Sequence, residues 1–304
     1  MRKWLSFIPL FSIVLLSSCT KSGSQDPVVH DSSYVDLISS VSFYGPNGKF
    51  IMDSLSYTQT GMPVKVLMYS GNMNSPLEEY SFSVDSNHQR ILSYEYRIHD
   101  NNLERLTKFN VEYNDQGKIS GMTPVAGGDL GVQEYQVHFT YDQDKIMFNP
   151  FGVSGLTDTL VYDHGNLKHR QQYGSNATTH VSIPAMEDYF YSTHPNPFYN
   201  AALENSSVLF MKCPADGAGR EFDYLADVNS KNLPDSVYTL IGDNQVKLSW
   251  GKQYYTWITD GSGKVTSGDL IIMDTAKSGM TGLPDPFTLQ YHFEYNYKKQ
   301  LIIK

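Results

Sequence analysis

Leu289-Gln-Tyr-His-Phe-Glu-Tyr-Asn-Tyr297 decides the fold class of this chain. Leu289, Tyr291, Phe293, Tyr295 and Tyr297 alternate with Gln290, His292, Glu294 and Asn296, a period of two that puts every large apolar group on one face. A helix would scatter the same residues around its circumference, so the stretch predicts a half-buried antiparallel strand. Tyr135, Val137, Phe139 and Tyr141 alternate in the same way with Gln136, His138 and Thr140. Phe109, Val111 and Tyr113 do so against Asn110 and Glu112.

Between such runs one turn plan recurs. Tyr113-Asn-Asp-Gln-Gly117-Lys-Ile119, Tyr141-Asp-Gln-Asp-Lys-Ile146, Tyr162-Asp-His-Gly165-Asn-Leu167, Ile241-Gly-Asp-Asn-Gln-Val246 and Thr259-Asp-Gly-Ser-Gly-Lys-Val265 share it. An aromatic or β-branched residue closes a strand, Asp, Asn and Gly make the turn, and an apolar residue opens the return strand. Asp and Asn tolerate left-handed dihedrals and bond their own backbone, while Gly adopts positive φ without a steric penalty. Tyr57, Val84, Tyr113, Tyr141 and Tyr162 occupy equivalent positions, which indicates a degenerate internal repeat.

With the Tyr-Asp pairs, Gly turns and basic-then-aliphatic returns in view, the chain resembles Rhs/YD-type repeats. It resembles more closely the uncharacterised lipoproteins of Bacteroidota that carry such hairpins behind a lipid anchor. Asn196-Pro197-Phe198 and Ser230-Lys231-Asn232-Leu-Pro234-Asp-Ser-Val237 match that group as well. The resemblance covers most of the mature chain. Its spacing is longer and less regular than in Rhs shells and no toxin or protease module is present, so it implies a hairpin array without a closed toxin cocoon.

The amino terminus carries the address. Arg2 and Lys3 form a positive n-region, and Leu5 to Leu16 an apolar stretch too short for a bilayer of ~30 Å. Leu16-Ser17-Ser18-Cys19 resembles the lipobox of bacterial lipoproteins, which implies a lipid on Cys19. Two or three acyl chains anchor stably, whereas one is marginal. Residues 1–18 are therefore expected to be a signal peptide and 19–33 a polar tether. A β-hairpin domain is expected over 34–304, with a sub-boundary in 184–218. Thr20 after the cysteine is compatible with outer-membrane sorting. Cys213 is then the second of two cysteines and has no partner for an intrachain disulfide.

Removing Arg2 and Lys3 leaves 21 basic against 32 acidic side chains, a formal mature charge of −11. That sign disfavours nucleic acid and anionic lipid surfaces as partners. Gly152-Val-Ser154-Gly155 is one residue short of a nucleophile elbow, and the Gly-Lys pairs at 48, 117, 251 and 263 read as hairpin turns rather than phosphate loops. His164, His169, His180 and His194, and the Asp-rich turns at Asp142 to Asp144 and Asp223 to Asp227, fall short of any complete metal pattern. No metal or cofactor is expected.

Aromatic content is the positive signal. In Trp250-Gly-Lys-Gln-Tyr-Tyr-Thr-Trp257, alternation sets Tyr254, Thr256 and Ile258 on one face and Tyr255 and Trp257 on the other. Tyr255 and Trp257 are the candidate ligand-binding residues, as a platform for a sugar or a protein partner; packing against a second layer is the structural alternative. Asp53-Ser54-Leu55, Asp158-Thr159-Leu160, Asp235-Ser236-Val237 and Asp274-Thr275-Ala276 look like Bacteroidota O-glycosylation acceptors, with ordinary strand entry as the competing reading.

The expected fold is all-β: a curved antiparallel meander of successive hairpins with one short helical or irregular insertion near 184–213. The expected function is a membrane-anchored envelope lipoprotein with a non-enzymatic binding or assembly role toward a glycan or envelope protein. The alternative is an exported hydrolase acting on glycans through an acid pair that only the fold brings together.

Overall fold

The computed structural model describes residues 32–45, 48–70, 74–100, 103–125, 136–149, 157–175, 182–197, 199, 230–242, 247–274 and 287–303. Cys19, Cys213, His180, the Gly152–Gly155 segment and the Asp223–Asp227 turn lie outside them. The described residues form sixteen strands and no helix. In chain order these are β1 (Ser32–Gly45), β2 (Gly48–Tyr57), β3 (Pro63–Ser70), β4 (Glu78–Asp85), β5 (Arg90–Asp100), β6 (Leu103–Tyr113), β7 (Ile119–Pro124) and β8 (Val137–Asp142). They continue as β9 (Lys145–Phe148), β10 (Asp158–Asp163), β11 (Asn166–Ser175), β12 (Ser182–Pro195), β13 (Asn232–Gly242), β14 (Lys247–Thr259), β15 (Val265–Asp274) and β16 (Phe287–Ile303). Each strand pairs antiparallel with the next, and β1 pairs with β16, so the expected meander closes into a barrel.

The insertion is narrower than expected. Pro184 was read as its start, yet β12 runs on to Pro195, because Tyr189 and Tyr191 turn to the inner face and alternate with Asp188, Phe190 and Ser192 on the other. Pro184 sits near the start of that strand, opposite Tyr173. Residues 200–213 of the expected helical or irregular insertion lie outside the described residues. β12 and β13, which flank this gap, pair directly within the one sheet. Gly251 is also a correction: it lies inside β14 opposite Thr239, not in a turn.

The alternation predicts which side faces in. Val137, Phe139, Tyr80, Phe82, Phe109, Phe293 and Tyr295 belong to one buried cluster that draws on strands all around the ring. Their neighbours Glu79, Ser81, Lys108, Asn110, Glu112, His138 and Thr140 point to the opposite, outer side. A circular sixteen-strand barrel is wide enough to hold a water channel. Here Val41, Phe109, Ile119, Met122 and Val137 are wholly buried. The cylinder is therefore filled by its own side chains along most of its wall.

One end of the barrel carries a set of short, described turns. The β4–β5, β6–β7, β8–β9, β10–β11 and β14–β15 connections are tight turns, and β1 begins at this same end. Asn114 Oδ1 accepts the N–H groups of Gln116 and Lys118, both at 3.0 Å, and Asp260 Oδ1 accepts those of Ser262 and Lys264 at 2.8 and 3.1 Å. Gly117, Gly165 and Gly263 take φ of +76°, +84° and +82°, which explains the glycine in each of these turns.

At this end, strands joined across the far side of the barrel splay apart, and tyrosines fill the wedges. The β5–β6 ladder stops at Ser93–Asn110 and the β7–β8 ladder at Gly121–His138. Beyond them Tyr113 Oη donates to the carbonyl of Ile91 at 2.9 Å and accepts its N–H at 3.0 Å, while Tyr141 Oη donates to Ile119 O at 2.8 Å. Tyr191 and Tyr297 do the same for Leu167 O at 2.6 Å and Val265 O at 2.5 Å. The basic residue before the aliphatic covers the ring: Arg90 over Tyr113 at 5.0 Å, Lys118 over Tyr141 at 4.9 Å and Lys264 over Tyr297 at 4.4 Å. This interlock is the physical content of the basic-aliphatic and tyrosine spacing in the sequence. Burial pushes the Tyr57, Tyr141 and Tyr297 hydroxyls well above their ordinary pKa, so they remain donors. Tyr113→Phe should strip both bonds from Ile91 and cost about 1–2 kcal/mol. A urea midpoint equal to that of the unmodified protein would show that water replaces the hydroxyl.

Candidate functional site

Tyr255 and Trp257 fall on one face of β14, as alternation requires, and closure makes it the inner one. Tyr255 is opposite Leu270 and Trp257 opposite Gly268 on β15. The two rings stack at 5.6 Å with an interplanar angle of 1°. Trp257 Nε1 donates to Pro234 O at 2.7 Å, beyond the last β13–β14 pair at Ser236–Tyr254, so the indole fills the wedge that a tyrosine fills elsewhere. The Tyr255 hydroxyl donates to Gln253 Oε1 at 2.7 Å.

Gly268 makes the next contact. It lies between Trp257 on β14 and Phe293 on β16, and these two rings meet edge to face over it at 5.2 Å. A Cβ at this position would stand 2.5 Å from Cζ of Phe293 and would collide with the carbonyl oxygen of Thr256. The missing side chain lets aromatics from both flanking strands touch. Phe293 in turn packs against Tyr295 at 5.6 Å and Phe43 at 6.0 Å.

These rings, with Leu233 and Leu270, enclose an apolar recess of about 50 Å³. One water needs ~10–15 Å³, so the space exceeds a packing defect. Beside it Gln253, Ile272, Leu289 and Tyr291 share the inner face of β14–β16 and are half-buried. Sequence reasoning found Tyr255 and Trp257 but missed Leu233, Leu270 and Gly268, because their meeting depends on cross-strand register.

A second interior feature was unforeseen. Asp53, Met68 and Glu78 are cross-strand neighbours in one inward row of β2, β3 and β4. Asp53 is 0% exposed and Glu78 2%. Neither carboxylate oxygen of Asp53 has a hydrogen-bond partner among the described residues. Burial, reinforced by the Glu78 charge, raises the Asp53 pKa well above the ordinary carboxylate value. Arg170 and Glu187 pair at 3.5 Å on β11 and β12, eight places away in the ring and so on the opposite wall. Asp53 and Glu78 are thus two acids that the fold brings into one row, and both are buried.

His164 pairs with Asp163 at 2.5 Å and His169 with Asp188 at 2.7 Å, two separate sites. Asp53-Ser54-Leu55 and Asp158-Thr159-Leu160 lie within strands, with Asp and Leu buried in each. Among the described residues Tyr34, Phe190 and Tyr238 are exposed aromatics; Phe190 and Tyr238 are in edge-on contact at 5.3 Å, with the Lys252 ammonium 4.3 Å from both the Tyr238 and Tyr254 rings.

No family model matches the chain, and no curated protein matches it. Among solved structures it is similar to a porin-like protein from Bacteroides vulgatus, with TM-score 0.38 and 10% identity over 87% of this chain and 99% of that one. It is also similar to a porin-like protein from Bacteroides uniformis, with TM-score 0.34 and 10% identity over 86% of this chain and 96% of that one. Agreement this slight leaves function to be read from the faces of the barrel itself.

Proposed function

We propose that this chain is an envelope lipoprotein, held to a membrane by lipid on Cys19, whose barrel stands in water and binds a ligand inside without catalysing a reaction. The polarity of the two faces carries the reading. A barrel that spans an outer membrane shows lipid an apolar band and keeps its polar side chains within, and a Lys or Arg at midplane on the lipid face costs ~2–4 kcal/mol. This barrel is built the other way round. Its apolar groups form the interior cluster, and Lys65–Glu79 and Arg97–Glu95 ion pairs at 2.6 and 3.1 Å stand on its outer face. Attachment then falls to the amino terminus, and the interior recess is the binding compartment.

The test is fractionation. The unmodified protein should incorporate labelled palmitate and stay with membranes through a urea wash, while Cys19→Ala should take up no label and move to the soluble fraction. Retention of Cys19→Ala after the wash would make the barrel itself the membrane element and end the proposal.

A further inference from the structure

We infer that the recess between β1 and β13–β16 takes the end of an unbranched hydrocarbon chain; this deepens the reading of the barrel interior as a binding compartment and rests on it. Three observations converge. First, the lining of the recess is aromatic and aliphatic, with no ionisable carboxylate, amine or imidazole among its residues. Second, the polar tips that a sugar would need are already engaged, since Trp257 Nε1 is held by Pro234 O and the Tyr255 hydroxyl by Gln253. A saccharide placed here would lose the hydration of its hydroxyls and gain few hydrogen bonds, whereas an alkyl chain has none to lose. Third, the volume of about 50 Å³ suits the tip of a chain rather than a whole lipid. The half-buried side chains of β14–β16 leave the rest of the chain and its headgroup a route toward water. Stacked and edge-on rings form a narrow slot, which admits an unbranched tail more readily than a branched or cyclic one.

The experiment uses the full mature chain with Cys19→Ser, so that neither its own lipid nor detergent competes, and with Trp250→Phe, so that Trp257 is the tryptophan observed. The probes are ω-bromo fatty acids of increasing length, because bromine quenches indole emission on contact. Saturable quenching is expected, with apparent affinity rising about fourfold per methylene until the recess is full. Leu270→Phe, which fills the recess, should abolish it. Vesicles of bromine-labelled phosphatidylcholine form a second arm: quenching by vesicles but not by dissolved acid identifies a bilayer lipid as the source of the chain, and the reverse identifies a free fatty acid. Quenching that survives Leu270→Phe in a folded protein places the chain elsewhere and overturns the assignment. A Trp257 shift with maltohexaose, without bromine quenching, overturns the ligand class and leaves the compartment standing. No response to any probe overturns both, while the palmitate and fractionation test still decides the anchor separately.

Discussion

Asp53→Leu is expected to stabilise the barrel at pH 7 by about 1–3 kcal/mol, the usual range for a buried polar group without a partner. Asp53 lies wholly inside, with neither carboxylate oxygen hydrogen-bonded among the described residues and Glu78 close enough to raise its pKa further. The direction of that shift sets the pH dependence. A carboxyl whose folded pKa lies above its unfolded value of ~3.9 contributes its full stability only below that pH. As pH rises from there toward the folded pKa, the unfolded chain releases a proton that the barrel retains, and stability is lost. The advantage of leucine should therefore be small at pH 4 and grow toward neutrality. Asp53→Asn should gain less, because an amide in the same place also lacks partners. Urea midpoints at pH 4 and pH 7 measure this, and a leucine variant no more stable than the unmodified protein at pH 7 would mean that ordered water or an ion satisfies Asp53.

Gly268→Val should have the largest effect of the opposite sign, a loss of roughly 3 kcal/mol or more. Valine prefers strands, so propensity alone predicts a modest gain. Position 268 reverses that expectation because its Cβ would enter space held by Phe293 and by the Thr256 carbonyl, and the carbonyl belongs to a paired backbone that cannot swing aside. The steric account also predicts a spectroscopic change: separating Trp257 from Phe293 should shift indole emission, and Gly268→Ala should do so more weakly. A folded Gly268→Val with unchanged stability and unchanged emission would show that the rings over this glycine are not in contact.

Much of this architecture was legible locally. The alternation in Leu289–Tyr297 placed Phe293 and Tyr295 in the core, and both are buried. The Asn114 and Asp260 turns came with the chemistry that Asx and Gly bring to tight reversals. The spacing of Val84, Tyr113, Tyr141 and Tyr162, and the Lys118-Ile119 return after Tyr113, were visible as a repeat; that the Tyr113 and Tyr141 hydroxyls reach back to the preceding hairpin was not, because strand splay at one end of a barrel leaves no mark within a single strand.

The site was less legible. Alternation sorted Tyr255 and Trp257 onto one face of β14 and Tyr254 onto the other, and it had no means of saying which face was the inside. That choice follows from the pairing of β1 with β16, which brings Tyr44 to Glu294 at 2.8 Å across 250 residues of sequence. Asp53 read as the head of a glycosylation tripeptide until closure buried it beside Glu78. The sequence by itself determined the strand class, the turns and which residues share a face, because these depend on dihedral preferences and a period of two. Only the tertiary structure decided that the sheet closes, which face of β14 is interior, that Gly268 sits beneath two rings and that two acids share a buried row. Those outcomes depend on register between distant strands, which is set by the free energy of the whole barrel rather than by any segment of it.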